Sequence, residues 1–128
     1  QALHLNREVR ANHPNFGTSV LRGRISYAGP PDNTVYPLGG QPRRIVDGQW
    51  YHAVVTYDGG DADRGTKLYL NGTVEAVTTA GGLLQGQGNN VYIGARDPGR
   101  SHFDGWIDEV RVYNRALSAD EVRALYSY

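Results

Sequence analysis

The chain of 128 residues contains no cysteine and no methionine. The absence of cysteine excludes disulfide frameworks, cysteine-ligated zinc, iron–sulfur clusters and thiol nucleophiles. Apolar runs are only a few residues long, so no membrane span is predicted. Basic and acidic residues number 13 each, and this balance argues against nucleic-acid binding, which usually requires a basic excess. The length suits one domain with a sizeable core.

The charge is unevenly distributed along the chain. Residues 1–49 hold six Arg against three acidic residues, a balance of +3, and the remainder has a balance of −3. Such polarity favours head-to-tail contacts between copies, although three charges attract only weakly. Because the first residue is Gln1, we expect a processed product or an excised domain from which any signal peptide has been removed.

Short alternating segments separated by Gly, Pro, Asn and Asp predict an all-β chain. The predicted strands are 21–27, 34–38, 50–57 and a long last strand at about 103–113. In that last strand, alternation places Trp106, Asp108, Val110 and Val112 on one face, which we expect to be the core face because three of the four are apolar.

Two local signals mark a hairpin and a helix in the second half. Asn71-Gly72 lies between alternating segments at 67–70 and 74–78 and predicts a tight hairpin, because both turn residues tolerate positive φ. Ser118 and Glu121 match a capping box and predict the start of a short C-terminal helix. The residues that share its apolar face are Val122, Leu125 and Tyr126.

The second half closely resembles the laminin-G-like, concanavalin A-like jelly-roll domains. The resemblance spans residues 47–126 and rests on five motifs in the expected order. These motifs are Asp47-Gly48-Gln49-Trp50-Tyr51-His52-Ala53-Val54, Tyr57-Asp58-Gly59, Leu68-Tyr69-Leu70-Asn71-Gly72, Ile93-Gly94, and residues 103–118 (FDGWIDEVRVYNRALS). The resemblance implies a jelly-roll sandwich of two antiparallel sheets with one short C-terminal helix, in a secreted or cell-surface protein.

The first 46 residues match the family less well. They have room for about two or three strands, fewer than the family normally places there. We therefore divide the chain into an N-terminal arm (1–20) and a jelly-roll domain (21–128). An incomplete sandwich leaves an unpaired edge, which the arm of a neighbouring copy could fill through Leu3, Leu5 and Val9. The alternative is that the arm folds back as an opening strand of its own domain.

Catalysis is not expected. Glucanases of this fold carry the spacing Glu-x-Asp-x-x-Glu, and none of the four Glu residues of this chain has it. The four His residues show no metal-pair spacing. His52 lies in the predicted strand at 50–57, where a scaffold role is favoured over a role as ligand or base.

Calcium is the metal that the resemblance implies. The family often uses the Asp equivalent to Asp108 to hold a structural Ca²⁺; hydrogen bonding of Asp108 to backbone amides is the alternative. Asp61 and Asp63 form a second acidic cluster that suits a hard cation, although such loops are usually only solvated.

Sugar binding in this fold uses aromatic platforms with polar groups beside them. The candidates are Tyr92, Trp106 and Arg96, near the loop 95–102; a purely structural role is the alternative for each aromatic residue. Two functions therefore remain: a self-associating structural or adhesion protein that forms an oligomer or fibre, and a glycan-binding module of a larger secreted protein.

Overall fold

The computed structural model describes nine ranges of the chain. In the first four of them it describes the backbone only. These ranges are 4–7, 19–26, 34–35, 44–45, 48–59, 65–78, 92–95, 102–103 and 105–128.

Four N-terminal strands form one antiparallel sheet. They are β1 (His4–Arg7), β2 (Ser19–Ser26), β3 (Thr34–Val35) and β4 (Arg44–Ile45). β2 pairs with each of the other three strands. Leu5 of β1 is opposite Gly23 of β2, so part of the N-terminal arm pairs within its own chain.

Three further strands form a second antiparallel sheet in the order β5-β6-β7. They are β5 (Ala53–Tyr57), β6 (Thr66–Leu70) and β7 (Thr73–Thr78). β5 begins three residues later than expected, and Trp50, which precedes it, is 68% exposed. β2 of the first sheet contacts β6. A face-to-face sandwich of the two sheets stays a prediction.

The predicted hairpin is confirmed. Asn71 and Gly72 have φ of 49° and 74° and connect β6 to β7 directly, with Leu70 paired to Thr73. Positive φ at both central residues is the requirement of the type I′ turn, whose twist matches that of the flanking strands. Asn and Gly are the residues that meet this requirement at low cost.

The C-terminal helix α1 (Ala119–Ser127) is also confirmed, together with its capping box. The backbone N–H of Glu121 donates to Ser118 Oγ at 3.2 Å, and the backbone N–H of Ser118 donates to Glu121 Oε2 at 2.8 Å. Each interaction satisfies an N–H that the helix cannot bond internally.

The helix packs against one face of the β5-β6-β7 sheet. Tyr69, Leu117 and Val122 form a buried cluster, with Val54 and Leu125 packed against it. Val54 is opposite Tyr69 in the register of β5 and β6, so both lie on the face that α1 covers. Leu68 and Leu70 alternate with Tyr69 onto the opposite face and are also buried. Both faces of β6 are therefore covered.

The prediction of a long last strand is wrong. No residue at 102–103 or 105–113 is in a strand. The supposed core face is wrong as well, because Trp106, Asp108, Val110 and Val112 are all exposed. Residues 105–113, called the 105–113 segment below, follow residues 102–103 in the described chain and precede Leu117 of the buried cluster.

Candidate functional site

The 105–113 segment carries the most exposed run of apolar side chains in the described chain. Trp106 is 86% exposed, Val112 65% and Val110 50%. Ile107 and Tyr113 are less exposed, yet both remain accessible. Large apolar side chains that cluster on a surface commonly mark a contact site for another molecule.

Asp108 and Glu109 give the physical reason for the missing strand. Asp108 Oδ1 accepts a hydrogen bond from the backbone N–H of Glu109 at 2.8 Å. Glu109 has φ of 51°, in the left-handed region that a continuous strand excludes. The alternation of faces that we assumed from Trp106 to Val112 is therefore interrupted at Glu109.

Beyond this interruption, Arg111 pairs with Glu109 on the exposed surface. The hydrogen bond that Arg111 donates to Glu109 raises the pKa of its guanidinium, a group that is charged at any ordinary pH. Its positive charge also acts on the ring of His52. The 105–113 segment thus approaches the start of β5.

Residues 92–95 lie against the beginning of the same region. The backbone N–H of Phe103 donates to the carbonyl oxygen of Gly94 at 2.7 Å. A Cβ at Gly94 would lie 3.2 Å from Ile107 Cδ1, which shows that Ile107 packs directly on this glycine. Tyr92 is 37% exposed and Ile93 63%. Exposed aromatic and aliphatic side chains therefore lie on both contacting stretches.

His52 connects the start of β5 to the hairpin turn. Its backbone N–H donates to Asn71 Oδ1 at 2.9 Å, and its carbonyl accepts from the Asn71 N–H at 2.8 Å. Its ring lies 6.0 Å from the ring of Tyr126 in α1, measured between centroids. Burial, followed by the charge of Arg111, lowers the pKa of His52 below its usual 6.5. These contacts agree with the favoured scaffold role.

Arg115 fastens the segment to the helix that follows it. Its guanidinium donates to Glu121 Oε1 at 2.6 Å and to Oε2 at 2.8 Å. Arg115 first and then the N–H of Ser118 lower the pKa of Glu121 to about 2. One carboxylate therefore caps the helix and binds the chain that precedes it.

The calcium prediction gains no ligand set from the described residues. Asp108 is exposed, and its Oδ1 accepts from the neighbouring N–H, as the alternative reading expected. The described ranges contain no group of three His, Asp or Glu side chains that could hold a metal. Asp61 and Asp63 lie outside the described residues, so calcium at Asp108, Asp61 or Asp63 stays a prediction.

The remaining predicted site residues are distributed as follows. Tyr92 and Trp106 are both exposed, and Arg96 lies outside the described residues. In the arm, the backbone of Leu5 is in β1, whereas Leu3 and Val9 lie outside the described residues. In the part of the chain that the structure describes, no helix has the length and apolar character to cross a membrane.

Comparison with known proteins agrees with this architecture. A laminin G family profile, described as concanavalin A-like lectin/glucanases superfamily, matches residues 10–123. The chain belongs to that superfamily. The match begins well before residue 47, so the laminin G-like domain includes most of the region that the sequence motifs left unexplained.

One solved structure shares the fold. It is the crystal structure of an S-layer domain-containing protein (residues 221–444) from Clostridium thermocellum, with a TM-score of 0.54 and 23% sequence identity. The alignment covers 98% of this chain and 63% of the solved chain. This laminin G-like chain therefore spans less than two thirds of the chain that it resembles.

Sequence reasoning missed two features of the site. The left-handed conformation of Glu109 has no clear signal, since the motif around it alternates as a strand would. The bond from His52 to the Asn71 side chain was accessible in principle, because an Asn in a type I′ turn can also accept hydrogen bonds through its side chain.

Proposed function

We propose that this chain is a non-catalytic laminin G-like module that acts outside the cell in assembly or adhesion. The observation that supports the proposal is the exposed apolar side chains of the 105–113 segment. Laminin G-like domains are generally non-catalytic. The solved chain with the same fold is described as S-layer domain-containing, which is compatible with a cell-surface setting.

We further propose that copies associate when the N-terminal arm of one copy adds to the 105–113 segment of the next. Among the described residues four pairs join β1 to β2, and a short strand of this kind can be exchanged between copies with its main-chain groups offered to the neighbour. The acceptor side chains are apolar and already exposed, so their burial favours association. The opposite charges of the two halves add a weak, salt-sensitive attraction.

Solution size tests the acceptor surface. We expect concentration-dependent species larger than a monomer in sedimentation velocity, and a largely monomeric Val112→Lys variant. Val77→Lys is the matched control, because Val77 is another exposed valine, in β7 and outside the segment. A wild-type chain that remains monomeric at every concentration would contradict the assembly proposal.

Cysteine crosslinking tests the donor, because the chain has no cysteine of its own. A Leu5→Cys copy is mixed with a Val112→Cys copy and oxidised, and a disulfide-linked mixed dimer is expected. A second variant carries Leu5→Cys and Gly23→Cys in one chain, at paired positions of β1 and β2. Quantitative intrachain bonding without any mixed dimer would show that the arm stays in its own sheet.

Glycan binding is the second candidate function. It is favoured by Trp106, which is 86% exposed, together with the exposed Tyr92. Exposed aromatic rings can stack on the apolar face of a sugar. Binding of the monomer to a glycan array that is lost in Trp106→Ala and kept in Trp50→Ala would favour this function. Absence of binding at any glycan would exclude it.

A further inference from the structure

Three elements meet at the ring of His52. The residue itself precedes β5, its backbone bonds the hairpin turn at Asn71, and its ring contacts Tyr126 in the last turn of α1. Tyr126 also closes over the turn, because a Cβ at Gly72 would lie 3.3 Å from Tyr126 Cδ1. The residues that join the helix to the hairpin turn therefore lie directly beside His52.

The Nδ1 atom of His52 is buried and has no hydrogen-bond partner. A neutral imidazole can leave one ring nitrogen unprotonated, but an imidazolium carries N–H donors at both nitrogens. Protonation would therefore place both a positive charge on the ring and an unpaired Nδ1–H donor in a position closed to water. Both are costly in a partly desolvated site.

We propose that His52 makes the docking of α1 sensitive to pH, so that protonation of its ring in mildly acidic solution weakens the contact between the helix and the hairpin turn. This inference concerns regulation of the fold and does not depend on the association proposed above. Release of α1 would uncover Tyr69, Leu117 and Val122, which are buried when the helix is docked.

The charged groups around His52 favour the neutral ring. Arg111 of the 105–113 segment adds positive charge, and its partner Glu109 is engaged with that guanidinium. From α1, Tyr126 presents a ring, and Arg123 passes close to Gly72 with its side chain paired to Asp120. The hairpin contributes Asn71, which carries no charge. None of these contacts supplies a carboxylate to a protonated His52.

The direction of the pH effect follows from these contacts. Burial and Arg111 hold the pKa of His52 in the folded chain below its usual 6.5. In the unfolded chain the ring takes up a proton as the pH falls through 6.5, whereas in the folded chain it does so only at lower pH. The contribution of neutral His52 to the free energy of unfolding is therefore complete above about pH 6.5. It declines as the pH falls from 6.5 to the lower pKa of the folded chain.

The test follows α1 directly in the full-length chain. Amide chemical shifts of Leu125, Tyr126 and Ser127 are recorded by NMR between about pH 7.5 and about pH 5, with urea midpoints from circular dichroism at both ends. We expect the shifts to titrate together with the His52 ring, below its usual pKa, and the urea midpoint to fall on acidification.

Two variants separate this mechanism from general acid effects. In His52→Phe the titration of the α1 amides and the acid-dependent fall of the midpoint should disappear, and in His102→Phe, at an exposed His, both should persist. His52→Gln replaces His52→Phe if the latter does not fold. Helix shifts that do not change over this range, or an equal titration without His52, would overturn the proposal.

Discussion

Two regions carry the clearest sequence motifs, and they differ in structure. One is the sheet β5-β6-β7 together with α1, and the other is the 105–113 segment. The first is closed by local chemistry: a type I′ turn, a capping box and a buried cluster at Tyr69. The second has the composition of a strand, yet none of its residues is in a strand and all are exposed. Alternating apolar residues make a segment compatible with a sheet, but the segment becomes a strand only when it pairs with a neighbouring strand.

The largest expected difference between the two regions is the cost of removing an apolar side chain. Leu117→Ala should destabilise the chain by about 2–5 kcal/mol, because Leu117 is only 7% exposed and a cavity remains. Val112→Ala should change the free energy of unfolding by less than about 0.5 kcal/mol in dilute solution, because Val112 is already exposed. Urea unfolding of both variants gives the comparison. A similarly large loss in Val112→Ala would mean that the segment is covered in the folded monomer.

The hairpin turn should show the next largest effect. Asn71→Ala places an unfavourable residue at φ of 49° and removes the acceptor of the His52 N–H, a combined loss of about 2 kcal/mol. Asn71→Gly keeps the conformation but loses the acceptor, so we expect about half that loss. Equal unfolding free energies for the two variants would show that positive φ costs alanine nothing here, and an Asn71→Gly variant as stable as the wild type would show that the side-chain hydrogen bond contributes nothing.

A smaller change is expected inside β6, in the opposite direction. Thr66 is completely buried, and its hydroxyl has no hydrogen-bond partner. Thr66→Val keeps the shape and removes the unsatisfied group, so thermal unfolding should show a gain of about 1 kcal/mol. Thr73→Val, at an exposed position of β7, is the control and should be near neutral. Destabilisation by Thr66→Val would indicate that the hydroxyl is satisfied after all.

The smallest effect concerns the capping carboxylate in acid. The pKa of Glu121 is about 2 in the folded chain against 4.5 ordinarily, so its contribution is complete above about pH 4.5 and declines as the pH falls towards 2. Its exposure to solvent keeps this contribution modest. Glu121→Gln should flatten the pH dependence of the melting temperature in this range, whereas Asp120→Asn should not. If the melting temperature of Glu121→Gln depends on pH as that of the wild type does, Glu121 makes no contribution to stability in this range.

The features that could be predicted from the sequence are those in which cause and effect lie a few residues apart. Asn71-Gly72 determines the turn by its own backbone preference, and Ser118 with Glu121 determines the helix start by direct hydrogen bonds. The 103–113 stretch depends instead on a distant partner, and the left-handed Glu109 divides it. The contact of His52 with Tyr126 joins residues 74 positions apart, and no local pattern predicts it. The arm also depends on a distant partner, since Leu5 pairs with Gly23 across a long connection.

The close approach of Tyr126 to Gly72 has a consequence for protein engineering. Tight hairpins at the end of a sheet are common places to graft foreign peptides, since insertions there are usually tolerated. Here the turn lies beneath the last turn of the helix, where a Cβ at Gly72 would lie 3.3 Å from Tyr126 Cδ1 and the tyrosine would have to shift by a few tenths of an ångström. Grafts at Asn71-Gly72 would therefore dislodge the helix, and a display scaffold built on this chain would need its insertion point elsewhere.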